Sequence, residues 1–422
     1  MQYALRACTL AVVLASAVSA AHGADPAPGA SVDSLLQLAK FANPEYAAMR
    51  HEADAAGERV TAAGALPDPR LRVELQDITM GGEQNPTLSP NRVGATKYQL
   101  MQDLPWLGKR DLRREIAALE AQGASGRAGG TWLELAARVK TTYAQTYYLH
   151  RNEQLTREIL YLMTRLEQVA RARYAGGLGA QQDAIRAQVE QTNLKTELIA
   201  LESEMHHMHA RLNVLTARPS GAALADPQEL RPLPTPAKLD QAALEQRLRA
   251  RNPQLMAEDA RTRAAEKSRE LAYKNRYPDF SVGIAPMQSR GAIREWELMV
   301  ELNIPLQQAP RRAQEREAQA MLSAAQSRKD AATNQALADL AESVSALDAA
   351  RRTERQISDN LLPQAEVSYQ SALAGYENGK VDFATLLDAQ RQIRMARQSH
   401  IKAQAEGQIR LAEIERLLGE DL

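Results

Sequence analysis

The chain has a single cysteine, Cys8, and only three phenylalanines and three tryptophans in its 422 residues. One cysteine rules out an internal disulfide and a cysteine-built metal centre. So few aromatic residues do not furnish a thick globular core; alanine, glutamine, glutamate, arginine and leucine dominate instead, the composition of long helices. Neither sign of charge prevails, since lysine plus arginine and aspartate plus glutamate stand at 52 each. Without a basic surplus, no nucleic-acid partner is expected. Enzyme motifs are missing too: there is no His-Glu-x-x-His and no Gly-x-Ser-x-Gly. Gly108-Lys109 has neither the upstream glycine nor the hydroxyl residue of a phosphate-binding loop. His51, His150 and His400 stand alone on helical segments. No catalytic residue, cofactor or resident metal is expected.

One apolar run stands at the N-terminus. Arg6, the stretch from Leu10 to Val18, and Ala20, Gly23 or Ala24 as cleavage points read as a secretory signal over residues 1–24, too short to cross a bilayer. Arg6 interrupts the small and apolar residues that a lipid-anchor cysteine wants before it, so Cys8 is expected to leave with the signal. The mature chain is then cysteine-free and exported, to the periplasm or the outer membrane.

What the chain does contain, it contains twice. Residues 174–188 read YAGGLGAQQDAIRAQ and residues 376–390 read YENGKVDFATLLDAQ, with Tyr, Gly and Ala-Gln in step at an offset of 202 (376 − 174). The same offset carries Leu212, Asn213 and Leu215 onto Ile414, Glu415 and Leu417. Each copy is a glycine-marked reversal between two helical runs, an αα-hairpin, with tips near 175–180 and 377–382. Asn43-Pro44 is echoed by Asn252-Pro253, Pro67-Asp68 by Pro278-Asp279, and Pro105 by Pro305. The unit is helix, strand, loop, strand, long helix, hairpin and helix. It is read over residues 25–218 and again over 239–422, with a proline-rich linker at 219–238. The first helix is predicted from 32 to about 65 with Asp33 as its cap. The long helix of the first repeat is predicted over 131–174, about 65 Å at helical rise.

Four segments, residues 70–78, 96–104, 280–286 and 296–304, alternate with a period of two. Leu71, Val73 and Leu75 face away from Arg72, Glu74 and Gln76; Leu298, Val300 and Leu302 face away from Glu297, Met299 and Glu301. One face is apolar and the other charged, which suits a wall between lipid and a water-filled lumen, with Tyr98, Trp106, Phe280 and Trp296 at or near strand ends. Four strands cannot close, because the smallest such barrels need about eight, and open edges do not persist in lipid. Neighbouring copies are therefore required. On the helical side, Leu155, Ile159, Leu162, Leu166 and Val169, and Leu194 through Leu215, step by four and three as coiled-coil seams.

The ordered set of features resembles the TolC family of outer-membrane efflux ducts over essentially the whole mature chain. Its carriers are the duplication, the paired strands, the two glycine-marked hairpins and Leu107-Gly108-Lys109-Arg110 after Pro105. The resemblance implies a mainly α chain with a membrane β part, four strands entering a trimeric twelve-stranded β-barrel that continues as a long α-helical barrel with an equatorial region. It implies a homotrimer in the outer membrane of a Gram-negative bacterium, extending into the periplasm. There it would act as a passive duct that meets a periplasmic adaptor (a membrane fusion protein) and an inner-membrane pump of the resistance-nodulation-division (RND) type. Asp388, with Thr385 before it, matches a pore-facing acidic set at the periplasmic end, of which this chain retains at most half. Asp183 matches a carboxylate that ties the closed end, although the matching arginine position holds Val381. Gly177, Leu178, Gly379 and Lys380 would present the tips to the adaptor.

Leu66-Pro67-Asp68-Pro69 and residues 102–110, QDLPWLGKR, resemble the heavy-metal branch of the family, with copper and silver favoured over cobalt, zinc and cadmium. Two other readings stand beside it: a duct for drugs or secreted proteins, and a soluble periplasmic coiled-coil scaffold or metal-binding protein with its strands packed inside a head. Met205-His206-His207-Met208-His209 offers donors suited to soft and borderline metals. Met205 and Met208 fall on the heptad seam, however, where methionine is ordinary packing.

Overall fold

A computed structural model describes residues 28–79 and 88–422; the expected signal segment and Cys8 lie outside the described residues. Helices α1 (Val32–Ala42) and α2 (Pro44–Gly64) lead into strands β1 (Arg70–Gln76) and β2 (Ala95–Leu104), after which α3 (Lys109–Ala175) and α4 (Gln181–Leu215) form the first hairpin. Past a short turn at Pro236–Leu239 the order recurs as α5 (Gln241–Arg251), α6 (Pro253–Lys274), β3 (Asp279–Ser289) and β4 (Ala292–Asn303). Then come α7 (Gln308–Gln356), a π turn at Ile357–Leu361, α8 (Leu362–Glu377) and the returning α9 (Phe383–Leu418).

The helix predicted over 32–65 is two helices. A residue before proline is pushed out of helical conformation, and Asn43 (φ −67°, ψ 121°) instead caps α2, its side chain accepting from the Tyr46 amide. Ser31, not Asp33, holds the N-cap position of α1. Asn252 repeats the device before Pro253, accepting from Leu255 N at 3.0 Å. The third strand runs past its predicted end and the fourth begins before its predicted start because Arg290 (φ 52°) and Gly291 (φ 83°) make a two-residue turn of the type that suits twisted hairpins.

The predicted 131–174 helix starts at Lys109 and has 67 residues, about 100 Å at helical rise. Glycines inside it are tolerated because α6 crosses there: a Cβ on Gly126 would lie 2.9 Å from the Pro253 carbonyl oxygen. Between α7 and α8 the π turn precedes Pro363, whose missing N–H breaks the regular ladder. Three apolar clusters hold the bundle. One joins α3, α4, α8 and α9 near the tips around Met163, Leu194, Phe383 and Leu386. The second gathers Leu244, Leu340 and Ile414, and the third Leu35, Val139 and Leu212.

All four strands form one antiparallel sheet in the order β1-β2-β3-β4, so β2 and β3 pair across the two repeats and β1 and β4 are left as edges. The pairing aligns the alternation: Leu71, Leu100, Ile284 and Leu298 make one row across the sheet, and Val282 sits beside Val300 in the next. This face is open, with Leu71 68%, Leu298 74% and Val300 61% exposed. The opposite face carries Lys97 bonded to Glu297 at 2.5 Å, and Asp103 accepting from Arg70 and Ser281. Among the described residues no helix covers the apolar rows, which is the arrangement predicted for a membrane wall. A buried lysine ties the sheet to the bundle. Lys109 Nζ donates to Asp279 Oδ1 at 2.8 Å and to the Tyr277 carbonyl at 3.0 Å, beside stacked Trp106 and Tyr277.

Candidate functional site

The two hairpin reversals are built alike. At the first, Gly177 turns the chain with φ 71°, and the Leu178 amide donates back to Arg173 O at 2.8 Å. At the second, Gly379 has φ 69° and the Lys380 amide donates to Gly375 O at 2.8 Å. This left-handed termination, in which an amide reaches back over the last helical turn, favours glycine because a Cβ would clash. Gly177, Leu178, Gly379 and Lys380 are all exposed at these ends.

Arg173 joins one tip to the other. Its Nη1 donates to the carbonyls of Tyr376 (2.9 Å) and Glu377 (3.1 Å), its Nη2 donates to Leu178 O (3.3 Å), and the guanidinium lies 5.0 Å from the Tyr376 ring centroid. The carbonyls at the end of α8 are where a helix dipole welcomes a cation. Tyr376 is buried against Phe383, edge to face at 5.4 Å, and burial raises its hydroxyl pKa above the usual tyrosine range. The position that would carry the family's arginine, Val381, packs on Gly375. The arginine that bridges the tips comes from the other hairpin.

The predicted acidic residues separate into two groups. Asp183 lies in the first turn of α4, where burial raises its carboxyl, Arg186 opposes that and Asp382 adds to it. Asp382 caps α9 by accepting from Thr385 Oγ1 at 2.5 Å and from Thr385 N at 2.9 Å, and these bonds hold its carboxyl below the usual range. Thr385 is thus occupied with its own helix cap. Asp388 stands apart, exposed one turn further along α9; Arg391, one turn beyond, pairs with Glu190 at 2.8 Å. The structure therefore sets Asp183 within electrostatic reach of Asp382, the residue that Thr385 bonds, while Asp388 lies further along α9. Arg173, Tyr376 and Asp382 escaped the sequence reading. Only Asp382 had a local signal, an aspartate three residues before a hydroxyl residue at a helix start.

The methionine–histidine cluster lies on α4 with Met205, Met208 and His209 half-buried and His206 and His207 exposed. His150 Nδ1 stands 3.7 Å from Asp226 nearby, and burial lowers the His209 pKa. Among the described residues no group of three or more histidine, cysteine, aspartate or glutamate side chains is placed to hold a metal ion. No described helix is long and apolar enough to cross a membrane.

The family described as Outer membrane efflux protein matches residues 35–218 and 244–420. The cobalt-zinc-cadmium resistance protein CzcC of Cupriavidus metallidurans is 24% identical over 398 residues, covering 92% of this chain and 90% of that protein. Among solved structures, the channel CusC superposes with a TM-score of 0.79 at 17% identity, covering 92% of each chain. The open state of the MtrE outer membrane channel of Neisseria gonorrhoeae gives 0.75 at 15% identity, covering 93% of this chain and 90% of that one.

Proposed function

The chain belongs to the outer membrane efflux protein family, and we propose that three copies of it form the exit duct of a tripartite metal-export system. It is an outer-membrane protein with a TolC-like fold. In the proposed assembly twelve strands close the barrel, the helical hairpins reach through the periplasm, and the tips meet a periplasmic adaptor that links the duct to an inner-membrane RND pump. The observation that carries this reading is the uncovered apolar face on a sheet with two open edges, which lipid and neighbouring copies would satisfy.

The cargo is proposed to be heavy-metal cations. The relative named for cobalt, zinc and cadmium resistance supports that class, and we would test those three metals before copper and silver. A passive duct needs no tight site for its cargo. A ring of three Asp388 carboxylates at a narrow end would favour cations, while Arg173, Tyr376, Asp183 and Asp382 would hold the tips closed. Gly177, Leu178, Gly379 and Lys380 would form the adaptor-facing surface.

Deleting the gene and measuring growth inhibition by metals, antibiotics and dyes tests the cargo. Sensitisation to metals alone is expected; sensitisation to antibiotics and dyes alone would make this a drug duct. A soluble periplasmic monomer would reject the duct altogether.

A further inference from the structure

The two repeats allow the join between neighbouring copies to be worked out residue by residue. Pro67-Asp68 recurs as Pro278-Asp279, an offset of 211 (278 − 67), and Pro105 recurs as Pro305, an offset of 200 (305 − 105). These two offsets, taken from proline landmarks alone, convert the first hairpin into the second: Arg70↔Met101 becomes Ser281↔Glu301, and Leu71↔Leu100 becomes Val282↔Val300, both of which are observed pairs. The repeats therefore share one register as well as one order of elements.

The same conversion applied to the β2–β3 pairing describes a contact the single chain cannot make, that of β4 with β1 of the next copy. Met101↔Gly283 becomes Glu301 opposite Arg72. Gln102↔Val282 becomes Leu302 opposite Leu71, and Leu100↔Ile284 becomes Val300 opposite Val73. We propose that adjacent copies close β4 against β1 in this register, with Glu301 of one copy paired to Arg72 of the next on the charged face. The inference rests on the trimeric duct proposed above.

Charge supports this register over its neighbours. Glu301 and Arg72 are both exposed on edge strands. Opposite charges directly across a pair stabilise a sheet and like charges oppose it. A slip of two residues one way sets Glu301 against Glu74, and two the other way sets Glu297 against Glu74. A slip of one residue turns Leu302 and Val300 onto the wrong face. Only the register derived from the repeats keeps apolar beside apolar, glutamate beside arginine and no two carboxylates face to face.

Paired cysteines test this in the full chain carrying Cys8→Ser. Directly opposed strand residues fall within the Cα spacing a disulfide spans, so Arg72→Cys with Glu301→Cys should give covalent trimers under mild oxidation. The yield should be about tenfold above that of Arg70→Cys or Glu74→Cys with Glu301→Cys. As a second arm, Glu301→Arg alone should lower the yield of heat-resistant trimer, and adding Arg72→Glu should restore it. Preferential cross-linking of a displaced pair, or none from any pair in a chain that is trimeric by native mass, would overturn the seam and leave the trimer standing. A monomeric native mass would remove both.

Discussion

Asn252 fastens two ends of the second repeat together: its Nδ2 donates to Leu417 O at 2.8 Å while its Oδ1 accepts from Leu255 N at 3.0 Å. Asn43 does the same in the first repeat, donating to Leu215 O at 3.0 Å and accepting from Tyr46 N at 3.1 Å. One side chain thus caps a helix start and satisfies a carbonyl at the end of the helix returning from the tip. Asn252→Ala loses the cap and leaves a buried carbonyl unpaired, for an expected destabilisation of about 2–3 kcal/mol. Denaturant unfolding of the detergent-solubilised protein checks this; a loss under about 0.5 kcal/mol would mean water replaces both bonds.

Arg173 is expected to keep the hairpin tips together. Arg173→Ala removes three hydrogen bonds to carbonyls and the stacking on Tyr376. Single-channel conductance in planar bilayers should rise. Arg173→Lys should resemble the alanine variant more than the parent, because an ammonium cannot reproduce the planar fork. Unchanged conductance in both variants would show that the tips are held elsewhere.

The two faces of β4 should respond differently to charge. Leu298→Arg puts a guanidinium on the apolar face at an expected cost of about 2–4 kcal/mol if that face meets mid-bilayer lipid, and the amount of folded protein in the outer membrane should drop. Glu297→Gln, next door on the charged face, should assemble at the parent level although it loses the Lys97 partner. Equal behaviour of the two would place both faces in water.

Asp388 is exposed and outside the Asp183–Asp382 cluster. Asp388→Asn should weaken cation selectivity, read as a shift in reversal potential under a salt gradient, and the effect should shrink at high ionic strength as screening grows. Selectivity equal to the parent would remove Asp388 from the gate.

Stability should fall at acidic pH through the cluster around Lys140, whose Nζ donates to buried Glu415 at 2.7 Å and to Asp421 at 2.5 Å. Burial pushes the Asp421 carboxyl up, but the hydrogen bond and charge of Lys140 more than offset this and hold it below its ordinary 3.8. A carboxyl lowered by folding adds stability above its ordinary pKa and loses it as pH falls through the folded value. Asp421→Asn should therefore melt below the parent near neutral pH, and the gap should close as the pH falls through and below the lowered folded value. A gap that persists there would point to packing rather than charge.

Much of the molecule could be read one residue at a time. Period-two alternation set which strand residues share a face, and glycine set the reversals at 177 and 379, because both depend on neighbours within a few positions. Interruptions were harder. The long helix predicted from 131 starts at Lys109, since the nearby crossing of α6 supplies packing for the glycines before 131 that local propensity does not include.

Amino-acid order alone settled the duplication, the alternation and the tip turns, since each is written in residues close together along the chain. Folding in three dimensions settled which distant groups meet: Arg173 with carbonyls some 203 residues away, Lys140 with Glu415 across 275, and β2 with β3 across the repeat boundary. Charge type and helix face are local properties, whereas a partner is chosen by how whole helices pack. No spacing in the sequence could show that the arginine bridging the tips would come from the first hairpin.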